Sequence, residues 1–415
     1  MKEESTYLHQ IGPVGTYLGA MRVLFLTSVY PRRHDDSEVP WMRESVRRLV
    51  QAGVEVEILA PSWKGLPSHK IDGVTVHRFR YSSAATEILT HDEGAATKTR
   101  TKPWLQLLAV PYIISGFRSC WKLCAPGRFD AIHCHWPFPH GLIAQAGRIR
   151  AKLPVVLNFH GAELLLMRRK KWIRPILRWL LGQAQAVLCN SSFTRGRIHD
   201  VREVAVELSP YGTTLPEGET KASPERAPDE PFEILFVGRH IERKGIEHLI
   251  DAMAFLEGER FRLTIVGHGD RTPALMERAG ATGDGRIRFT GKLSTEDLAA
   301  AYARASVFVL PAVVDSKGDT EGLGVVLIEA AEMGLPLVGS DVGGIPDVVV
   351  HGESGLLAPP GDPRALAERL RTLADDPDLA RRLVAGARDR TRRMFSWDVV
   401  IPHLVGIYRK VATKS

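Results

Sequence analysis

Short apolar runs rich in Val, Ile, Leu and Phe alternate with helical stretches along nearly the whole chain, in two series separated by a break. The first series holds VLFLTSVYP, a helix from about Val39 to Gly53, VEVEILAP and VTVHRF. A polar stretch from Ser82 to Lys102 and a helical segment from Trp104 to about Cys124 follow, then FDAIHCHW, VVLNFHGAE and AVLCNS. The second series holds FEILFVGRH, FRLTIVGHG, IRFTGK, VFVLPA and LPLVGS, with helices between them. Strands joined through helices run parallel, because each helix carries the chain back to the edge where it began. The expected fold is α/β, with two Rossmann-like doubly wound domains and a ligand cleft at the carboxyl ends of their strands.

The break, LPEGETKASPERAPDEPFE, is rich in Pro, Glu and Lys and has little to bury, so 211–231 reads as a linker. The expected division is an irregular extension at 1–20, a first domain at 21–210 and a second at 232–394. The segment 395–415 carries FSWDVVIPHLVGIYRK, a helix with apolar spacing.

At 415 residues the chain exceeds a single compact core, and 44% hydrophobic with 25% charged residues is a globular composition. No apolar run is long enough to span a bilayer. The first residues lack a signal peptide's apolar region, and Met21 is a second candidate start. Cys120, Cys124, Cys134 and Cys189 form no CxxC pair, so a reduced, cytoplasmic chain is expected. The net charge of +7 draws anionic partners. The basic residues concentrate in 164–184, where Arg168, Arg169, Lys170, Lys171, Arg174 and Arg178 mix with Trp172 and Trp179. That composition suits peripheral contact with an anionic leaflet on the inner face of the cytoplasmic membrane. A solvated helix face is the alternative. No nucleic-acid-binding motif accompanies the charge, so no nucleic-acid partner is expected.

Candidate chemistry lies just after the strands. Glu321 and Glu329 stand eight positions apart in EGLGVVLIEAAEMGLPLVGSDVGGIPDVV. Gly322 and Gly324 let backbone approach a ligand, and the helix expected from Val325 to Met333 offers free N–H groups to an anion. Two acids flanking an anion site suit a ligand with phosphate in the middle and hydroxyl-rich groups on either side, as in a nucleotide-sugar. Two solvated acids on an amphipathic helix are the plain alternative. After FEILFV, Gly238 ends the strand, and Arg239 and Lys244 stand where they could neutralise a diphosphate. Gly267 and Gly269 match part of a dinucleotide GxGxxG whose third Gly is absent, and fit a turn near a nucleotide base better than an NAD site. His160 and Gly161 end the strand VVLNF, where the imidazole could reach a bound sugar. His133, His135 and His140 lack an acid at metal-ligand spacing, so acceptor contacts or strand-end packing are expected of them rather than a metal. The absence of GxSxG, HExxH and GxxxxGK[ST] removes the usual support for hydrolase and kinase readings.

Together these residues resemble glycosyltransferase family 4, the retaining group 1 transferases of the GT-B fold, from about Met21 to the last helix. The carriers are the E-x7-E pair Glu321 and Glu329, the GRxxxxKG basic pair Arg239 and Lys244, His160-Gly161, and Gly343, Gly344 and Pro346. The resemblance implies two domains facing each other, with the C-terminal helix crossing back to the first. It implies that Arg239 and Lys244 bind a UDP- or GDP-linked donor's diphosphate with no metal. Glu321 would hold hydroxyls of the transferred sugar with the N–H groups of Gly322, Leu323 and Gly324. Glu329 would hold the ribose, Gly238 and Gly267 would line the donor site, and His160 would lie near the reacting carbon. His135, Trp136 and Glu163 are candidate acceptor contacts. Front-face attack is the family's expected route, and a covalent Glu or Asp intermediate is its competitor. VVDSKGDTEGLG and VYPRRHDDSEVPWMRE resemble the exopolysaccharide, colanic-acid-type subset, with a glycan or polyprenyl-linked acceptor.

Three segments depart from the family pattern. Arg32, Arg33, His34 and Asp35 replace the glycine pair after the first strand. Glu163 stands where relatives have Asp, and Tyr211, Thr213 and Thr214 interrupt the P-N-G-V-D pattern. No ligand role is carried onto that last segment. The alternatives are a nucleotide-sugar epimerase of the same fold and an inactive nucleotide-sugar-binding partner subunit.

Overall fold

The computed structural model describes residues 20–36, 38–92, 98–99, 101–213, 230–256, 258, 260–281 and 285–413. Most of the expected extension and the middle of the expected linker lie outside the described residues. The chain divides into two compact units. The first takes residues up to Asn190, then Thr194–Tyr211 and the segment from Trp397. The second takes Ser191–Phe193 and Gly212–Ser396.

The strands of the first unit are β1 (Met21–Leu26), β2 (Val54–Pro61), β3 (His69–Ile71), β4 (Val74–Phe79), β5 (Ala131–His135), β6 (Val155–Phe159), β7 (Ala186–Cys189) and β8 (Glu207–Leu208). Their order is β3-β4-β2-β1-β5-β6-β7-β8, parallel except for the β3–β4 hairpin. Six of these strands, β4 to β7 in sheet order, reproduce the 3-2-1-4-5-6 winding, with the switch point between β1 and β5. The central strands are buried on both faces, which is why they read as unbroken apolar runs. The β3–β4 hairpin turns at Asp72 (φ 51°) and Gly73 (φ 80°), both in the left-handed region that an Asp-Gly pair accepts in a two-residue turn.

Helices α1 (Pro40–Gln51), α2 (Ala109–Leu123), α3 (Pro137–Ala151), α4 (Ala162–Arg169), α5 (Ile173–Gln183) and α6 (Ser192–His199) join these strands. The single helix expected from Trp104 is divided into a 3-10 turn, Pro103–Leu108, and α2. Pro111 accounts for the restart, since a proline is tolerated in a helix's first turn, where its missing N–H has no partner to lose.

The second unit holds β9 (Phe232–Val237), β10 (Phe261–Val266), β11 (Ile287–Gly291), β12 (Val307–Leu310), β13 (Leu337–Ser340) and β14 (Leu356–Ala358) in the all-parallel order β11-β10-β9-β12-β13-β14. This is again 3-2-1-4-5-6, with its switch point between β9 and β12. Its helices are α7 (Ile246–Ala252), α8 (Thr272–Ala281), α9 (Thr295–Arg304), α10 (Val325–Glu332), α11 (Ile345–Val348), α12 (Pro363–Asp375) and α13 (Pro377–Met394). Ser294 caps α9 by accepting from Asp297 N at 3.1 Å, and Asp362 caps α12 by accepting from Ala365 N at 3.0 Å.

The last helix, α14 (Trp397–Ala412), belongs to the first unit. Trp397, Val400, Ile401, Leu404 and Tyr408 join the core that Val23, Phe25, Met42 and Ile58 form on one face of its sheet. Each such side chain contributes about 1.5–3 kcal/mol of burial. Two Rossmann-like units with a C-terminal helix returned to the first constitute the GT-B fold. Among the described residues, no helix is long and apolar enough to cross a membrane.

Candidate functional site

At the switch point of the second unit, the carboxyl ends of β9 and β12 bring two of the expected residues into contact. Lys244 Nζ donates to Glu321 Oε2 at 2.6 Å, and the two residues are 8% and 9% exposed. Arg243 Nη1 donates to the same oxygen at 3.3 Å and to Thr320 O at 3.0 Å. Burial alone would raise the Glu321 carboxyl, but the Lys244 ammonium and Arg243 guanidinium outweigh it and hold the pKa at about 2. Glu321 is thus a carboxylate at any physiological pH. Burial draws the Lys244 ammonium downward, opposed by Glu321. Arg239, expected to share the anion site, stays exposed at the end of β9, and Arg243 is the guanidinium that reaches Glu321.

The helix beside this pair starts without a side-chain cap, at Gly324 with φ 84°. Its first N–H groups are available to an anion, and the helix dipole favours negative charge there. Leu323 turns its side chain into the core at 2% exposure, so only its backbone faces the turn. Glu329, in the second turn of α10, is 9% exposed and accepts from the Tyr302 hydroxyl at 3.2 Å. Sequence reasoning passed over Tyr302, which stands on α9 with no local signal.

Glycines set how closely these loops approach. A Cβ on Gly343 would lie 2.1 Å from Glu321 O, and one on Gly344 would lie 2.1 Å from Gly322 O. Gly344 N donates to Glu321 O at 2.9 Å, so the glycine pair clasps the backbone of the Glu321 turn. A Cβ on Gly245 would lie 2.0 Å from Pro311 O, where the Lys244 turn meets the end of β12. Gly267 packs against Gly238 in the same way, its Cβ position 2.0 Å from Gly238 O. For that pair the visible use of glycine is loop-on-loop packing.

In the first unit, His160 centres a stack of rings. His135 and His160 lie 5.2 Å apart and nearly parallel, with His135 Nδ1 bonded to His160 Nε2 at 3.0 Å. His160 Nδ1 is hydrogen-bonded to the Tyr211 hydroxyl. Trp41 stacks on Tyr211 at 4.1 Å, and Trp136 packs 4.6 Å from His160. His133 stacks on His135 at 4.2 Å and reaches the Tyr408 hydroxyl at 2.6 Å and Asn158 at 3.2 Å. His140 bonds Tyr112 and Trp136 O, at 2.8 and 2.9 Å. Burial pushes His133 and His160 down to about 3 and His140 to about 4, so all are neutral imidazoles at pH 7. Glu163 accepts from His160 N at 2.8 Å, and burial raises its carboxyl to about 7.

His135 and Glu163, expected as acceptor contacts, are 3% and 2% exposed and lie behind His160 as its supports. Trp136 keeps partial exposure and remains accessible. Tyr211 received no role from the sequence because it replaces the family's Asn, yet it binds the His160 ring. Trp41, on α1, was also missed. The departing loop after β1 is laced by ion pairs, Arg32 to Asp36 at 2.6 Å and to Asp92 at 3.1 Å.

The basic segment 164–184 forms α4 and α5, with Trp172 58% and Trp179 46% exposed.

Two family descriptions match the sequence: "Glycosyltransferase Family 4" over residues 41–212 and "Glycosyl transferases group 1" over residues 218–390. The chain is 30% identical to the putative colanic acid biosynthesis glycosyltransferase WcaL of Escherichia coli, over 69% of this chain and 72% of that one. It is 29% identical to the phosphatidyl-myo-inositol mannosyltransferase of Mycobacterium leprae, over 87% and 89%. Among solved structures it is similar to Anabaena HepE in complex with UDP-glucose. There the TM-score is 0.61 at 16% identity, covering 95% of this chain and 99% of that one.

Proposed function

Since this chain belongs to glycosyltransferase family 4 and is a glycosyltransferase, we propose that it is a retaining enzyme transferring a sugar from a nucleotide-sugar to a hydroxyl of a glycan or lipid-linked acceptor in exopolysaccharide or other cell-surface glycan synthesis. The observation that carries the reading is the buried Lys244–Glu321 pair beside the uncapped start of α10. Lys244, Arg239 and the first N–H groups of α10 take the donor diphosphate, with Arg243 holding Glu321 in place. These fixed charges stabilise the leaving group as it gains negative charge, the work a metal ion performs in other transferases, so no metal is needed. Glu321, ionised, accepts hydrogen bonds from hydroxyls of the transferred sugar, and Glu329 does so for the ribose. His160, neutral, serves the transfer step as a hydrogen-bonding group rather than a charge.

In the proposed chemistry, the acceptor hydroxyl oxygen bonds to the anomeric carbon on the face the diphosphate leaves. The carbon–oxygen bond to the diphosphate breaks, and the hydroxyl proton passes to a departing phosphate oxygen. The UDP-glucose complex of HepE supports a nucleotide-sugar donor, and the name of the mycobacterial relative supports a lipid-borne acceptor. The exposed basic and aromatic surface of 164–184 fits an acceptor presented at the inner face of the cytoplasmic membrane. Purified protein should release nucleoside diphosphate from one of a panel of UDP- and GDP-sugars. Lys244→Ala should slow this at least about a hundredfold, the usual scale for removing a group that stabilises developing charge. Equal turnover by wild type and variant would sink the assignment.

A further inference from the structure

A recess of about 470 Å³ opens where α4, α5 and α6 meet, lined by Leu164, Met167, Arg168, Arg174, Arg197 and Asp200. Three guanidiniums face one carboxylate there, leaving a surplus of positive charge. Arg174 Nη2 donates to Asp200 O at 2.7 Å, which fixes its fork at the rim. Partial burial and then the Arg168 charge disfavour the Arg197 cation, Asp200 opposes them, and a bound anion would add to that opposition. Leu164 and Met167 supply an apolar wall, so the recess offers both charge and hydrocarbon.

We infer that this recess binds a phosphate group, and that its source is the headgroup of an anionic membrane lipid. Arginine forks match phosphate oxygens two at a time. The surroundings favour a lipid source over a free phosphate. Trp172, in the turn between α4 and α5, is 58% exposed, and Leu107 and Val110 are 78% and 64% exposed. Lys170 Nζ donates to Gln106 Oε1 at 3.1 Å, tying the segment of Leu107 and Val110 to that turn. An apolar rim beside an arginine-lined recess is the arrangement that seats a headgroup while side chains enter the acyl boundary. The inference rests on the reading that 164–184 meets an anionic surface, and names the site that would grip it.

The test is flotation of the full chain with phosphatidylcholine vesicles, with and without phosphatidylglycerol. A second arm follows thermal stabilisation by glycerol 3-phosphate in a Lys244→Ala background, which weakens the response of the donor site. Wild type should float with the phosphatidylglycerol vesicles alone. Arg197→Gln should weaken this more than about tenfold, with recovery in Arg197→Lys. Exposed Arg169→Gln should weaken it only about fivefold, the effect of one basic charge near an anionic surface. Glycerol 3-phosphate should stabilise the protein only where Arg197 is intact. Equal losses in Arg197→Gln and Arg169→Gln, with no Arg197-dependent stabilisation, would overturn the recess and leave the membrane contact standing. Arg197-dependent stabilisation without flotation would uphold the phosphate site and overturn its lipid source. Failure of wild type in both arms would overturn both readings.

Discussion

Lys244 and Glu321 bury charges that compensate each other, and Arg243 and the Gly324 N–H also stabilise the Glu321 carboxylate. Removing one partner leaves the other charge stranded, at a cost of about 3–5 kcal/mol, whereas replacing both with apolar groups is often neutral. Urea denaturation should therefore find Glu321→Met and Lys244→Met each strongly destabilised. The double variant should recover most of the loss while remaining inactive, which separates the pair's structural role from its role on the donor. Glu163 predicts a pH effect. Its folded pKa of about 7 lies above the ordinary 4.5, so its contribution is complete below pH 4.5 and is lost as pH rises through 7. Glu163→Gln keeps an oxygen for His160 N and removes the titration. Its melting temperature relative to wild type should climb between pH 5 and 7.5, by the equivalent of roughly 2 kcal/mol. A flat difference would show that the carboxyl is not raised. At this scale the sequence disclosed residues that sit in local patterns, such as Glu321 and Lys244. It concealed Tyr302, Trp41 and Tyr211, because each meets its partner through tertiary packing from a distant element. Arg243 was legible in principle, standing one position before Lys244, but the motif drew attention to Arg239.

Among the elements, the loop carrying Gly343 and Gly344 decides where Glu321 stands. Gly343 holds φ 62°, and its Cβ position lies 2.1 Å from a backbone oxygen that cannot move without shifting the Glu321 turn. Gly343→Ala should lower turnover toward that of Glu321→Ala and cost about 1–3 kcal/mol of stability, although it removes no functional group. Donor hydrolysis and thermal melting on one preparation would check it, and wild-type turnover would refute the clasp. Most strands were legible because parallel strands buried on both faces leave unbroken apolar runs. The two-residue β8 and three-residue β3 and β14 were not, being too short for any period to register. The β3–β4 hairpin did leave a signal, Asp72-Gly73 before VTVHRF, whose strand partner is too polar to stand out.

For the whole molecule, the relevant fact is that the rings around His160 are anchored at their far end by Tyr408 on α14. Tyr408→Phe should strand a buried imidazole nitrogen of His133 and cost about 1–3 kcal/mol. The buried histidines also set acid sensitivity. His133 and His140 have folded pKa values of about 3 and 4, below the ordinary 6.5. Their contribution is therefore complete above pH 6.5 and is lost as pH falls toward 4. By pH 5 each should subtract about 2 kcal/mol, opposing the gain from Glu163. Denaturant midpoints at pH 7 and pH 5 would show a net fall, and a higher midpoint at pH 5 would contradict it. The returned helix has one further result, for manufacture of the chain. The second unit is nearly continuous in sequence, but the first lacks its closing helix until Trp397–Ala412 is made. At ordinary elongation rates that leaves the nascent first unit waiting roughly ten to forty seconds with the apolar face meant for α14 uncovered. The unit begun first on the ribosome is the one completed last, and that interval is when the newborn chain most needs a chaperone.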